Sequence, residues 1–191
     1  AYHGFWKSPM GFDAVAGRAT FPRLGVYGAS ARGNVFEGVG SLEAGYYESL
    51  DDRSGDDPLI PNGQARFLAG YEQEIVTDLT VGGQYYLERM MDDAAYRAAL
   101  PDGMIPSDED RHVLALRLTW LALHQSLRLS LFAFHSPSDN DAYLRSTAHY
   151  RIDDHWSASI GVNLFTGKNE RTFFGQFEDA ANAYASVRYG F

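Results

Sequence analysis

Apolar and polar residues alternate with period two along most of this chain. Trp156, Ala158, Ile160, Val162 and Leu164 interleave with Ser157, Ser159, Gly161 and Asn163, and Leu127, Leu129, Leu131 and Ala133 interleave with Arg128, Ser130, Phe132 and Phe134. Successive side chains of a strand point to opposite faces, so each such run predicts a strand with two differently solvated faces. In 111–120, His112, Leu114, Leu116, Leu118 and Trp120 take one parity, and Arg111, Val113, Ala115, Arg117 and Thr119 the other. The pattern also covers 142–152, 79–88, 64–75 and 42–47. In the closing segment Ala181, Ala183, Ala185, Val187, Tyr189 and Phe191 oppose Asn182, Ser186 and Arg188. In 23–27, Leu24 and Val26 oppose Arg23 and Tyr27, which puts the two aliphatic residues on the apolar face. Only the opening stretch, 2–12, is poorly patterned, and Pro9 weakens it as a strand because proline cannot donate to a ladder. About ten strands result, enough for a single small antiparallel barrel domain.

The connections carry a second periodicity, in length. Tight turns are predicted near Gly33-Asn34, Thr77-Asp78, His124-Gln125 and Asp153-Asp154, and longer polar segments over 50–62, 92–110, 136–141 and 168–178. Short and long connections therefore alternate, as in a transmembrane barrel with short turns on one side and long loops on the other. A soluble sandwich or ligand-binding barrel shares the strands but has less reason to sort its loops. Tyr46, Tyr71, Tyr85, Trp120, Tyr150, Trp156 and Tyr189 all take the apolar parity, many near strand ends. Amphipathic rings favour the membrane–water interface.

Composition changes this picture little. Mean hydropathy is −0.30, and the richest apolar run, 113–123, is broken by Arg117 and Thr119. That falls short of the roughly 18 apolar residues of a membrane-spanning helix, but a barrel escapes the test because only alternate residues meet lipid. The 12 Tyr, 12 Phe and 19 Gly suit interfacial girdles and close strand contacts, and the absence of Cys excludes a disulfide framework and thiolate metal sites. A net charge of −9 argues against a general nucleic-acid binder, which needs excess Lys and Arg. No signal peptide is visible at Ala1, so an exported protein would be met here in mature or trimmed form.

The last strand, ending in Tyr189-Gly190-Phe191, resembles the closing strand of Gram-negative outer-membrane β-barrels. The resemblance implies an all-β, antiparallel up-and-down transmembrane barrel of porin-like type in the bacterial outer membrane. It implies that Val187, Tyr189 and Phe191 form the signal read by the barrel-insertion machinery. Outer-membrane lipids and lipopolysaccharide would surround the barrel, and small solutes would pass it. The weak opening stretch departs from the family pattern. It also fits the C-terminal part of a larger barrel, completed by further strands or subunits.

If the apolar parity meets lipid, the other lines the lumen, and its charge is uneven. Arg111, Arg117, Arg128, Arg145, Arg151 and Arg188, with His149, come from the second half of the chain. Glu43, Glu72, Glu74 and Glu88, with Arg23 and Arg66, come from the first. In a narrow barrel side chains fill the interior, and these charges would pair across it and leave no pore. In a wider barrel the arginine rows would stay apart and favour anions in a passive channel for small solutes.

Other chemistry is weakly signalled. The acidic loops Asp51-Asp52-Arg53-Ser54-Gly55-Asp56-Asp57 and Ser107-Asp108-Glu109-Asp110 offer oxygen ligands. Their spacing lacks the closing Glu of a twelve-residue calcium loop and reads as solvated loop. No metal or cofactor is expected. An outer-membrane lipid-modifying acyl hydrolase is the alternative, on His124-Gln125-Ser126, which sets a His and a Ser on one strand face. That pair lies at a predicted turn with no evident carboxylate partner, and His135-Ser136 points to opposite faces. No GxSxG, HExxH, P-loop or dinucleotide fingerprint appears, so no catalytic residue is assigned. A soluble ligand-binding β-barrel is the remaining reading.

Overall fold

The alternating runs become strands in a computed structural model that describes residues 1–168 and 172–191. The middle of the expected loop 168–178 thus lies outside the described residues. In chain order the elements are β1 (Tyr2–Phe5), β2 (Gly11–Asp13), β3 (Arg18–Thr20), β4 (Arg23–Val35), β5 (Gly38–Ser49), β6 (Gln64–Val76), β7 (Leu79–Met90), helix α1 (Asp93–Ala99), β8 (Asp110–Ala122), β9 (Leu127–Ser136), β10 (Asp141–Arg151), β11 (Trp156–Gly167), a 3-10 helix (Gly175–Ala180) and β12 (Asn182–Tyr189). Ten strands form one up-and-down antiparallel sheet in the order β1-β4-β5-β6-β7-β8-β9-β10-β11-β12, while β2 and β3 pair separately. The all-β, antiparallel expectation holds. Closure into a barrel is not seen: among the described residues no pairing joins the two ends of this order.

Both ends leave backbone unpaired. β1 covers only the start of β4, in the register Tyr2↔Val26 to Phe5↔Arg23. Residues 27–35 of β4 have no second neighbour and are exposed on both parities, as is all of β12.

Turn positions correct several expectations. β4 continues through Gly33-Asn34, and the reversal falls at Phe36-Glu37, with Phe36 left-handed at φ 53°. Thr77-Asp78 turns as expected, with Asp78 at φ 66°. Its amide donates to Glu74 Oε1 at 2.6 Å. Leu123, His124 and Gln125 all take positive φ in the turn after β8. The expected long segment 136–141 shrinks to a connection of 137–140, because Ser136 and Asp141 both belong to strands. Asn140 at φ 51° makes that tight reversal, a conformation asparagine tolerates better than most residues. The segment 92–110 contains α1, whose Arg97 reaches back one turn to Asp93 at 2.7 Å.

Contacts divide the chain into two compact units. Unit 1 is Ala1–Ala31, Leu42–Leu68 and Tyr86–Arg111, and unit 2 is Arg32–Ser41, Ala69–Tyr85 and His112–Phe191. Unit 1 buries Trp6 and Leu24, with the Trp6 ring stacked on Tyr47 at 6.1 Å. This reverses the parity expected for β4. Val26 lines one depression with Glu43 and Tyr47, whereas Tyr27 lines another with Tyr46; Arg66 and Phe67 border both. Leu24 is thus buried on the parity that carries Val26, whose depression is lined by Glu43 and Arg66.

Unit 2 keeps the expected parity. Directly opposed residues of antiparallel strands share a face, so register defines rows across the strands. One face carries Leu114, Leu116, Trp120, Ile160, Leu164 and Val187, all exposed. Val113 is the buried hydrophobic residue of unit 2 among those described.

Candidate functional site

The charged face of unit 2 is layered. Register aligns Phe134, Tyr143 and Phe165 on adjacent strands β9, β10 and β11. Two residues further along, Arg117, Phe132, Arg145, Asn163 and Asn182 form the next row. A hydroxyl row follows, Thr119, Ser130 and Thr147, and then Leu121, Arg128, His149, Ser159 and Ser186. The last row, at the short-turn end, is Arg151, Ser157 and Arg188. With a strand rise of about 3.3 Å, the first and second arginine-bearing rows are roughly 13 Å apart, and the third lies about 7 Å beyond.

Arg117, Arg128 and Arg145 line an open depression of about 620 Å³ together with Phe132, Tyr143 and the hydroxyl row. No carboxylate lines it. Among the described residues, the side chains of Arg117, Arg128, Arg145, Arg151 and Arg188 have no ion pair or hydrogen bond. Arg117 and Arg145 flank Phe132 from opposite sides, so their backbones are about 10 Å apart. Two unit charges at that distance repel by roughly 0.4 kcal/mol in bulk water and about four times more at an effective dielectric of 20. An anion between them removes this cost.

An aromatic layer closes the long-connection end of the depression. Tyr143 stacks on Phe165 at 4.7 Å and on Phe174 at 5.3 Å, and Phe134 meets Phe174 edge-on at 4.6 Å. Phe174 belongs to the connection expected to be a plain outer loop, but its ring packs on this aromatic row instead. Its amide donates to Oδ2 of the fully buried Asp141 at 2.8 Å, and a Cβ on Gly167 would lie 2.5 Å from the Gly175 Cα. Glycine at 167 is therefore what lets the chain return so close to β11. The Tyr143 hydroxyl donates to Asn163 Oδ1 at 2.8 Å, which fixes the ring above the arginine row.

The charged residues of unit 1 are arranged differently. Arg66 pairs with Glu88 at 3.1 Å, both largely covered, and its guanidinium lies 3.9 Å over the Tyr47 ring. Its side chain also donates to Gln64 Oε1, and the Tyr86 hydroxyl donates to Glu88 at 2.7 Å. Glu43 lines the same depression, of about 370 Å³. Glu72, which belongs to unit 2, packs under Gly82. Arg111 is half-buried and engaged. The remaining ion pairs of unit 1 sit at strand ends and connections: Arg23 with Asp51, Arg53 with Glu48, and Arg89 with Glu109 and Asp110. The hydrogen bond from the Arg23 amide outweighs the opposing effect of burial and, with the Arg23 guanidinium adding to it, holds the Asp51 carboxyl below its usual range.

The remaining candidates are accounted for locally. Asp52 accepts the amides of Gly55 and Asp57, and Asp57 accepts that of Leu59, so these loop carboxylates serve their own backbone. No metal-binding cluster occurs among the described residues. Ser126 Oγ donates to the Leu123 carbonyl at 2.6 Å and makes no bond with His124. A contact the sequence did not single out joins His149 Nδ1 and Ser159 Oγ at 2.8 Å, opposite each other on β10 and β11. No carboxylate bonds the other ring nitrogen among the described residues, so the group that orients the base in a catalytic triad is missing. Val187, Tyr189 and Phe191 are exposed, with Tyr189 packed on Trp156 at 4.9 Å. Comparison with protein-family models, curated proteins and solved structures finds no match for this chain.

Proposed function

We propose that this chain forms part of the wall of a bacterial outer-membrane β-barrel pore, a passive porin-like channel that favours small anions. The observation that carries the reading is the set of exposed arginines on β8, β9 and β10, which line a depression without a carboxylate. Rows of uncompensated cations in a water-filled path attract anions. The opposite face supports a lipid environment, because its aliphatic residues are exposed without cover. The free edges of β4 and β12 support the wider of the two barrels considered. Hydrocarbon tolerates no unpaired backbone, so both edges need partner strands, from the same polypeptide or another subunit. The exposed Val187, Tyr189 and Phe191 are accessible to the barrel-insertion machinery, and outer-membrane lipids with lipopolysaccharide are the expected surroundings.

Planar-bilayer recording tests the proposal. Discrete conductance steps with a reversal potential displaced toward chloride in a potassium chloride gradient are expected, together with heat-modifiable migration on a detergent gel. A protein that stays dispersed without detergent and shows no such shift would sink the membrane assignment. Steps without anion preference would sink the role of the arginines.

A further inference from the structure

We infer that the depression on β8–β10 is a binding site for small aromatic carboxylates, and that Phe132 selects the ring while Arg117 and Arg145 take the charge. This rests on the anion-channel reading and names the solute class for the same face. Phe132 is half-buried and sits in register between Arg117 and Arg145. Its ring is 6.1 Å from Tyr143, tilted by 57°, and so continues the aromatic layer into the charged one. Neither guanidinium is spent on a carboxylate or on a ring among the described residues, unlike Arg66 over Tyr47. A planar anion lying on Phe132 places a carboxylate against the fork of either arginine, whose paired N–H groups match two oxygens. Thr119, Ser130 and Thr147 add hydroxyl donors below. An inorganic anion would use the arginines but would leave the ring without a role. The volume of about 620 Å³ is in the range of small-molecule sites.

The test is calorimetric titration of the folded protein in detergent micelles with terephthalate and with succinate, two dicarboxylates that differ in the ring. Binding needs no open pore, so this result is independent of the conductance result. Terephthalate should bind about tenfold more tightly than succinate, the scale of one aromatic contact. Phe132→Leu, which keeps an apolar side chain without the ring, should bring the two affinities together by weakening terephthalate binding about tenfold. Arg117→Gln with Arg145→Gln should abolish both. Equal affinities in the unaltered protein, or a terephthalate preference that survives Phe132→Leu, would overturn the site. A channel that still prefers chloride in bilayers would then leave the anion pathway standing without it.

Discussion

Arginine is used in two opposite ways in this molecule. In unit 1, Arg66 is surrounded by Glu88, Gln64 and Tyr47, and its charge is cancelled within one side-chain length. In unit 2, Arg117, Arg128 and Arg145 stand on neighbouring strands beside threonines, a serine and phenylalanine, with no acid among them. A paired guanidinium acts as a cross-strand brace. An unpaired one keeps its field and its donors for something that is not part of the chain. The difference teaches that the count of basic residues on a face says little about its potential until each partner is known.

Reversing the unit 2 charges should give the largest effect. Arg117→Glu with Arg145→Glu should swing the anion-to-cation permeability ratio by about tenfold, equivalent to 1.4 kcal/mol, and invert the reversal potential. An unchanged potential would mean that the current path does not touch this face. A smaller effect is expected in unit 1. Glu88→Gln frees Arg66 and should raise anion preference by roughly two- to threefold, at a cost of about 1 kcal/mol in stability measured by urea unfolding in micelles. Arg66→Gln should shift preference toward cations, and Arg66→Gln combined with Glu88→Gln should restore the original selectivity. If the single variants leave selectivity unaltered, the unit 1 depression lies off the path.

The smallest effect concerns acid. Because the Asp51 carboxyl titrates below its ordinary value of 3.8, its bonds to Arg23 stabilise the fold at pH values above 3.8. That contribution falls as pH drops below 3.8 and is gone once the folded carboxyl is protonated. Asp51→Asn should therefore flatten the loss of stability below that pH and leave the reversal potential measured in bilayers unchanged. A steep acid limb that persists in the variant would assign the loss to other carboxylates.

Strands were legible wherever the two faces differ strongly in polarity. On β8 the contrast of Leu114, Leu116 and Trp120 with Arg117 and Thr119 leaves one possible register, since a shift by one residue would expose every leucine to the charged face. On β4 the run Gly28-Ala29-Ser30-Ala31 carries almost no contrast, so the strand itself fixes the parity of Leu24 and Val26 only weakly. Gly33-Asn34 carries the residues of a turn, but sheet pairing with β5 carries the strand past them to Phe36. Helix α1 had a local signal in the alanines of 92–100 and the i, i+4 pair Asp93 and Arg97. The packing of Phe174 on the aromatic row had none. It depends on Asp141 and Tyr143, more than thirty residues earlier, and on stacking with Phe165. The rows of arginine were readable from parity. That Arg117, Arg128 and Arg145 have no side-chain partner among the described residues was not, because pairing is a property of three-dimensional neighbours.

The rows in unit 2 also have a direction. Rings lie at the long-connection end, one charged row follows, and then come hydroxyls and two further charged rows toward the short turns. In the proposed channel, a solute entering from one end would meet an apolar contact before any charge, and from the other end would meet charge first. Such a sequence of sites is a ratchet-shaped profile, so equal and opposite voltages would drive unequal currents. In the proposed channel, rectification would follow from the register of five strands and from the Phe174 ring packed on their aromatic row.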